Sequence, residues 1–251
     1  HTGGIDHREI HHPNEIAQNQ ARCGGDHSGA QFWMHNNFLI ERSGKMSKSS
    51  GEFLRVQLLI DKGFHPLAYR LMCLQAHYRS ELEFSWEGLQ AALVRLKRMV
   101  MGVSNLKVRH AELASPPVTD VQGDVAPAIA ATLRDFGAAV DDDLNTAIAL
   151  TSLETLVGLK KVDVAQQLAA VAEMDAVLGI NLMALSRTDL RTRPKNAIIT
   201  EDKIETALAA RKEARAAKDF AKSDIIRDDL ITKGVEVMDG DPLGWDWRLD
   251  I

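Results

Sequence analysis

The 251-residue sequence predicts three consecutive parts: an α/β segment, a mainly α-helical bundle, and a small C-terminal α+β module. Three observations predict this order. Residues 1–44 are rich in Gly, Asn and His and end on the short apolar run Phe38-Leu39-Ile40, a pattern of loops around one helix and one strand. From Gly51 onward apolar residues recur at helical spacing, as at Leu89, Leu93, Leu96 and Val100. Near the end, Val235-Glu236-Val237-Met238 alternates apolar and polar residues. Trp245-Asp246-Trp247-Arg248-Leu249 repeats the alternation after a turn-forming stretch.

In the first part a helix is expected from about Asn14 to Ala21 and a strand near Phe32–Ile40, whereas residues 45–51 are polar, end on Gly51 and read as a loop. Leu54, Leu58 and Leu59 open the helical region, which breaks at Lys62-Gly63-Phe64-His65-Pro66. Pro66 suits the first turn of the next helix, through Leu71 and Leu74, because the N–H it lacks would have no helical partner there. Ser85 offers a hydroxyl to the free N–H groups of a helix starting at Trp86.

A connector follows over residues 114–127, with Pro116-Pro117 and Gly123. Helices are expected near Ala128–Phe136, Asn145–Leu159 and Val164–Leu178, then a second connector over 186–196, then helices through Glu205–Lys218 and Ser223–Lys233. Gly234 suits a helix C-cap, and Asp239-Gly240-Asp241-Pro242-Leu243-Gly244 is turn chemistry between two strands. The expected boundaries are therefore 1–50, 51–110, 111–190 and 200–251.

Composition narrows the class. A hydrophobic content of 45% with 26% charged residues is that of a soluble globular protein. No apolar run approaches the roughly 18 residues needed to cross a bilayer, so no membrane partner is expected. Two distant cysteines, Cys23 and Cys73, do not make a disulfide framework, which points to a reducing cytoplasm; Cys73 reads as a small buried hydrophobe. The net charge of -5 is uneven: residues 1–110 hold 14 Lys/Arg against 10 Asp/Glu, and the remainder is strongly acidic. A basic field of the kind that binds nucleic acid is therefore absent globally, and any RNA contact must rest on local stripes. The chain opens on His1-Thr2-Gly3-Gly4, which reads as the interior of a fold, so a preceding portion is expected.

Two strings can carry chemistry. Lys45-Met46-Ser47-Lys48-Ser49-Ser50-Gly51 places ammonium groups and hydroxyls on a Gly-terminated loop after an apolar strand. Such groups can meet the charge that develops on a triphosphate as pyrophosphate leaves, although a Lys/Ser-rich loop read by itself is also a solvated turn. The second string is a histidine-rich start, with His1, His7, His11, His12, His27 and His35 among the first 35 residues. His11 and Glu15 are four apart, share one helix face and can hold one metal ion or simply pair, while His12 points elsewhere.

The series His1-x-Gly3-Gly4-x-Asp6, His11-His12-x-Asn14-Glu15, Trp33-Met34-His35-Asn36, Lys45-Met46-Ser47-Lys48-Ser49, His77-Tyr78-Arg79-Ser80 and Asp141-Asp142-Asp143-Leu144-Asn145-Thr146 resembles the cysteinyl-tRNA synthetases, over essentially the whole chain. The resemblance implies that residues 1–50 are the end of a Rossmann-type class I catalytic domain, followed by stem-contacting helices, a tRNA-binding bundle and a small anticodon-recognition module.

It further implies ligation of L-cysteine to tRNA(Cys) through cysteinyl adenylate, with ATP and magnesium as substrate. A zinc ion held by two cysteines, a histidine and a glutamate would select the thiol. His11 and Glu15 match the last two ligands; Cys23 matches neither cysteine, so those two are expected outside this chain. Lys45 and Lys48 match the catalytic loop, and Lys48, Ser47, His1, Gly3, Gly4 and Asp6 match ATP-binding positions. Trp33 and His35 are read either as core packing or as the adenine side of the pocket.

The Asp141-Asp142-Asp143 run is read as capping the helix that begins near Asn145. Lys203, Arg211, Lys212, Arg215, Lys218 and Lys222 are read as a solvated helix face with a minority touching RNA, and Trp245 and Trp247 as either core or base-stacking residues. A monomer is expected, and the chain by itself is expected to be inactive. Two rival readings are an RNA-binding fragment without catalysis and a ligase joining cysteine to an amino sugar on the same core.

Overall fold

The computed structural model describes residues 1–41, 44–45, 55–113, 125–241 and 243–249, with 41, 44 and 45 as backbone only. The first segment is organised by short strands. Strand β1 (Thr2–Gly4) runs parallel to β2 (Met34–Asn36), with Gly3 opposite His35 and Gly4 opposite Asn36. Between them a single 3-10 turn (Ile5–His7) leads into helix α1 (His11–Cys23), which starts three residues earlier than expected and carries Pro13 in its first turn, where proline is tolerated.

The single strand expected at Phe32–Ile40 is divided into β2 and β3 (Leu39–Glu41). The chain changes sheets at Asn37. Its backbone N–H donates to the Tyr78 carbonyl at 2.8 Å, its amide nitrogen donates to the Arg79 carbonyl at 3.0 Å, and its side-chain oxygen accepts from Phe38 N–H at 2.8 Å. Strand β3 then pairs antiparallel with β4 (Gly44–Lys45) and parallel with β5 (Leu82–Phe84). Lys45 thus opens in a strand, opposite Ile40, rather than in the loop expected over 45–51. Among the described residues these are separate two- and three-stranded sheets, not one extended doubly wound sheet.

The helical region follows the expected punctuation. Helix α2 (Val56–Asp61) ends at the Lys62-Gly63 break, and α3 (Pro66–Leu74) begins on Pro66, capped by His65, whose Nδ1 accepts from Leu67 N–H at 3.2 Å. Helix α4 (Trp86–Glu112) is 27 residues long and capped by Ser85, whose hydroxyl accepts from Gly88 N–H at 3.0 Å. Its first half packs with Leu59, Phe64 and Phe84. Its second half, from Leu96, packs with α5 (Pro127–Asp141), α6 (Thr146–Gly158) and α7 (Val164–Leu178) in the largest core, which Leu71 of α3 also joins. None of the described helices is long and apolar enough to cross a membrane.

The acidic run does not cap α6. Asn145 does, its side-chain oxygen accepting from Ile148 N–H at 3.3 Å. Asp141 closes α5, and Asp143 and Leu144 turn the chain with left-handed φ of 53° and 59°. A leucine in that region costs roughly 1–2 kcal/mol because its Cβ crowds the following carbonyl.

Helices α8 (Glu201–Ala216) and α9 (Phe220–Thr232) pack together and carry the antiparallel pair β6 (Val235–Val237) and β7 (Trp245–Trp247). Trp245 and Trp247 are 0% and 4% exposed and form the core with Ile204 and Leu230, so neither is available to stack on a base. Asp246 between them is buried and accepts from Lys97 Nζ at 2.6 Å and Arg187 Nη2 at 2.9 Å, which ties the module to α4.

Arg211 leaves the expected solvated face. It is 5% exposed and grips Asp239 through two hydrogen bonds of 2.6 and 2.8 Å, with Arg215 adding a third at 3.0 Å. Arg211 first, then Arg215, holds the Asp239 carboxyl at about 2, below its ordinary 3.8. A carboxyl lowered on folding adds stability above its unfolded pKa and loses it as pH falls through the folded value. Melting temperature should therefore decline between about pH 4 and 2, and Asp239→Asn should flatten that decline while lowering Tm at neutral pH. A variant with the wild-type pH slope would show that the clamp adds nothing.

Candidate functional site

The site is built where β1, β2 and α1 meet. Parallel pairing brings His1 to the Met34 end of β2, its terminal ammonium donating to the Phe32 carbonyl at 2.8 Å. One face of α1 carries His11 and Glu15. The Glu15 carboxylate lies between two imidazoles: His11 Nε2 is 3.0 Å from one oxygen and His1 Nε2 is 2.8 Å from the other. The expected pair at four-residue spacing is thus brought together, and His1 joins it.

His12 is placed differently from expectation. It turns inward, is 2% exposed, and its Nδ1 lies 2.7 Å from His35 Nε2, so one of the two rings donates to the other. Burial first, then the proximity of His35, lowers the His12 pKa, which keeps that ring neutral at pH 7. Its ring is 4.7 Å from His1, and donor atoms of His1, His12 and Glu15 all lie within 4.8 Å of one another. Imidazole nitrogens and a carboxylate at this spacing are a suitable donor set for a divalent transition ion such as zinc. Cys23 is exposed at the far end of α1, and Cys73 is half-buried rather than fully buried, with burial raising its thiol pKa.

Gly3 must be glycine for this packing. A Cβ there would stand 2.7 Å from His7 Nδ1 and 2.8 Å from the His12 ring. Gly4 lies beside it, and Asp6 is exposed in the 3-10 turn with its carboxylate folded back toward Gly4. Trp33 sets its ring edge-on to His1 at 4.7 Å, and its indole N–H is buried without a hydrogen-bond partner among the described residues. Ser47 and Lys48 lie outside the described residues, and for Lys45 the backbone alone is described.

A second cluster links this region to the bundle. The Asp143 carboxylate accepts from Tyr78 Oη at 2.7 Å and from Arg79 Nε and Nη2, while His77 Nε2 is 3.0 Å from the Asp143 carbonyl oxygen. Arg79 first, then Tyr78, pulls the Asp143 carboxyl down to about 2. Sequence spacing offered no sign of this contact across 64 residues of chain. In the C-terminal module the exposed aromatic is Phe220, 62% exposed at the start of α9, a residue that periodicity did not single out.

Residues 1–94 match the family model for the catalytic domain of class I (C) tRNA synthetases. The chain is 67% identical, over 99% of its length and 50% of the relative's, to the cysteine–tRNA ligase of Novosphingobium aromaticivorans. It is 48% identical, over 99% of its length and 53% of the relative's, to that of Zymomonas mobilis. The chain thus spans about half the length of the curated relatives it matches. Among solved structures, the ternary LeuRS–tRNA–LeuAMS complex of Agrobacterium radiobacter K84 aligns with a TM-score of 0.51 at 14% identity, covering 86% of this chain and 34% of that one, a likeness of fold. Over nearly its whole length the chain is thus similar to about half of a cysteine–tRNA ligase, and its first 94 residues are similar to a class I synthetase catalytic domain.

Proposed function

We propose that this chain is part of an enzyme that joins L-cysteine to tRNA(Cys), and that the cluster on α1 and β1 is its amino-acid end. The observation that carries the proposal is the Glu15 carboxylate held between His1 and His11, in a chain 67% identical to a cysteine–tRNA ligase. His11 and Glu15 would be this chain's ligands to a zinc ion, with two cysteine ligands supplied from outside it. When bound, zinc supplies a soft-ligand position that distinguishes a thiolate from a hydroxyl. His12 and His35 hold α1 against β2 and so fix the direction of His11 and Glu15.

In the reaction, a carboxylate oxygen of cysteine attacks the α-phosphorus of magnesium-bound ATP, the bond to pyrophosphate breaks, and cysteinyl adenylate forms. A hydroxyl at the 3′ end of the tRNA then attacks the acyl carbon and releases AMP. Lys48, with Lys45 and Ser47, would meet the charge developing on the departing pyrophosphate. Gly3 makes room for the His7 and His12 rings, Gly4 would allow close backbone approach to the nucleotide, and Asp6 would accept from ribose hydroxyls. Residues 51–110, 111–190 and 200–251 would dock the tRNA stem, arm and anticodon. With Trp245 and Trp247 buried, Phe220 is the aromatic of the last module able to stack on a base.

ATP–pyrophosphate exchange driven by cysteine, measured on this chain and on a longer chain of the relatives' length, tests the reading. Exchange driven by serine or methionine but not cysteine would defeat it. In the longer chain, Lys48→Ala should lower the exchange rate at least about tenfold with zinc content unchanged. An unaltered rate removes Lys48 from the mechanism.

A further inference from the structure

The contacts among Asn37, Tyr78, Arg79 and Asp143 form a continuous bridge from the strand region to the helical bundle. At one end Asn37, where the chain leaves β2 and enters β3, is bonded to the backbone of both Tyr78 and Arg79. At the other end the side chains of those two residues converge on one carboxylate, Asp143, in the turn between α5 and α6. The Thr146 hydroxyl, at the start of α6, also donates to the Leu74 carbonyl at the end of α3, at 2.9 Å.

Two features separate this bridge from ordinary surface pairing. Arg79 and Asp143 are solvent-exposed, and exposed ion pairs contribute little to stability. Yet the turn that presents Asp143 holds two successive non-glycine residues in the left-handed region, a strain that persists only where the surroundings over-determine it. The turn is closed by its own backbone bonds, Leu144 N–H to the Val140 carbonyl at 3.0 Å and Asn145 N–H to the Ala139 carbonyl at 2.9 Å, so it presents Asp143 in a fixed place. The stereochemistry there is specific: one carboxylate receives a phenol and two guanidinium N–H groups at once.

From this geometry we infer that Asp143 is a positioning residue that couples the RNA-docking bundle to the catalytic strands, acting through Tyr78 and Arg79 on Asn37. The inference rests on the functional reading above. Strand β3 leads from Asn37 to β4 and Lys45, so a shift of the α5–α6 turn reaches the entry to the phosphate loop through four residues. The coupling acts when RNA is bound, so its loss affects transfer to tRNA more than adenylate formation.

The test uses the full-length enzyme carrying Asp143→Asn, which keeps the shape and removes the charge. At saturating tRNA the turnover of aminoacylation should fall about tenfold, with the KM for tRNA within about threefold of wild type. Cysteine-dependent ATP–pyrophosphate exchange without tRNA should fall less than about twofold, and Asp143→Glu should restore most of the lost turnover. Should Asp143→Asn not fold, Tyr78→Phe removes one hydroxyl and should lower turnover in the same selective way. The inference is overturned if exchange and aminoacylation fall together, if KM alone rises, or if nothing changes. A wild-type enzyme inactive with cysteine would overturn the functional reading as well, whereas an active wild type with an unaltered variant overturns the coupling alone.

Discussion

Replacing Trp245 by alanine is expected to destabilise the C-terminal module by about 3–5 kcal/mol, the usual cost of emptying a buried indole site. Trp245 is 0% exposed, packs edge-on against Trp247 with ring centres 5.1 Å apart, and carries the Arg191 guanidinium 3.7 Å over its ring. Its N–H also donates to Glu205 at 2.6 Å. The small core that it fills, with Ile204, Leu230 and Val235, has few other large side chains to close the cavity.

Circular dichroism on heating should then show an early transition for residues 200–251, ahead of the α4–α7 core. Trp247→Phe provides the contrast, because the Trp247 N–H is buried with no partner among the described residues, so its loss removes no hydrogen bond and the smaller cavity should lower Tm less than Trp245→Ala. A Trp245→Ala protein melting as a single unit at the wild-type temperature would refute the assignment of Trp245 as the centre of that core.

The helices and the C-terminal strand pair were legible in the sequence and the short strands before α4 were not, for a reason of length. Helix α7 spans Val164–Leu178 as periodicity required, and Ser85 caps α4 because a short polar side chain before an apolar-periodic stretch is a local signal; at α6 the acidic run carries the same signal, although Asn145 is the cap. Strands β1, β4 and β5 have two or three residues each, too few for alternation to register, and what fixes them is pairing across the chain. Divided strands β2 and β3 looked like one because the division depends on Asn37 bonding to Tyr78 and Arg79, some forty residues away.

The candidate site divides along the same line. His11 and Glu15 were legible as a helical pair. The inward turn of His12 needs the third dimension: the free space above Gly3 and the imidazole of His35 across the sheet decide it. Charge was the poorest guide. Arg211 counts as a basic surface residue in any composition argument, yet it is spent inside the module on Asp239. The acidic run at 141–143 resembled a cap, but its last member accepts from Arg79, 64 residues earlier in the chain.

The largest effect on activity is expected for Glu15→Gln. The substitution keeps the side chain's length and removes the charge that His1 and His11 share at 2.8 and 3.0 Å. An amide offers one oxygen and one donor nitrogen, so one of the two imidazoles must lose its acceptor and turn away. Zinc affinity requires a deprotonated, correctly oriented ligand set, and even partners that merely orient such ligands are worth about 10–100-fold. If Glu15 is a direct ligand, as proposed, its loss should lower both zinc retention after dialysis and cysteine-dependent exchange by at least about a hundredfold in a chain of the relatives' length.

His11→Ala should reproduce both effects, because it removes the other donor on the same helix face. His1→Ala separates the alternatives. If His11 and Glu15 hold the ion, its loss spares zinc content and lowers exchange; if His1, His12 and Glu15 hold it, zinc is lost as in Glu15→Gln. Full zinc content and full exchange in Glu15→Gln would remove this cluster from the reaction, and with it the physical basis for selecting sulfur.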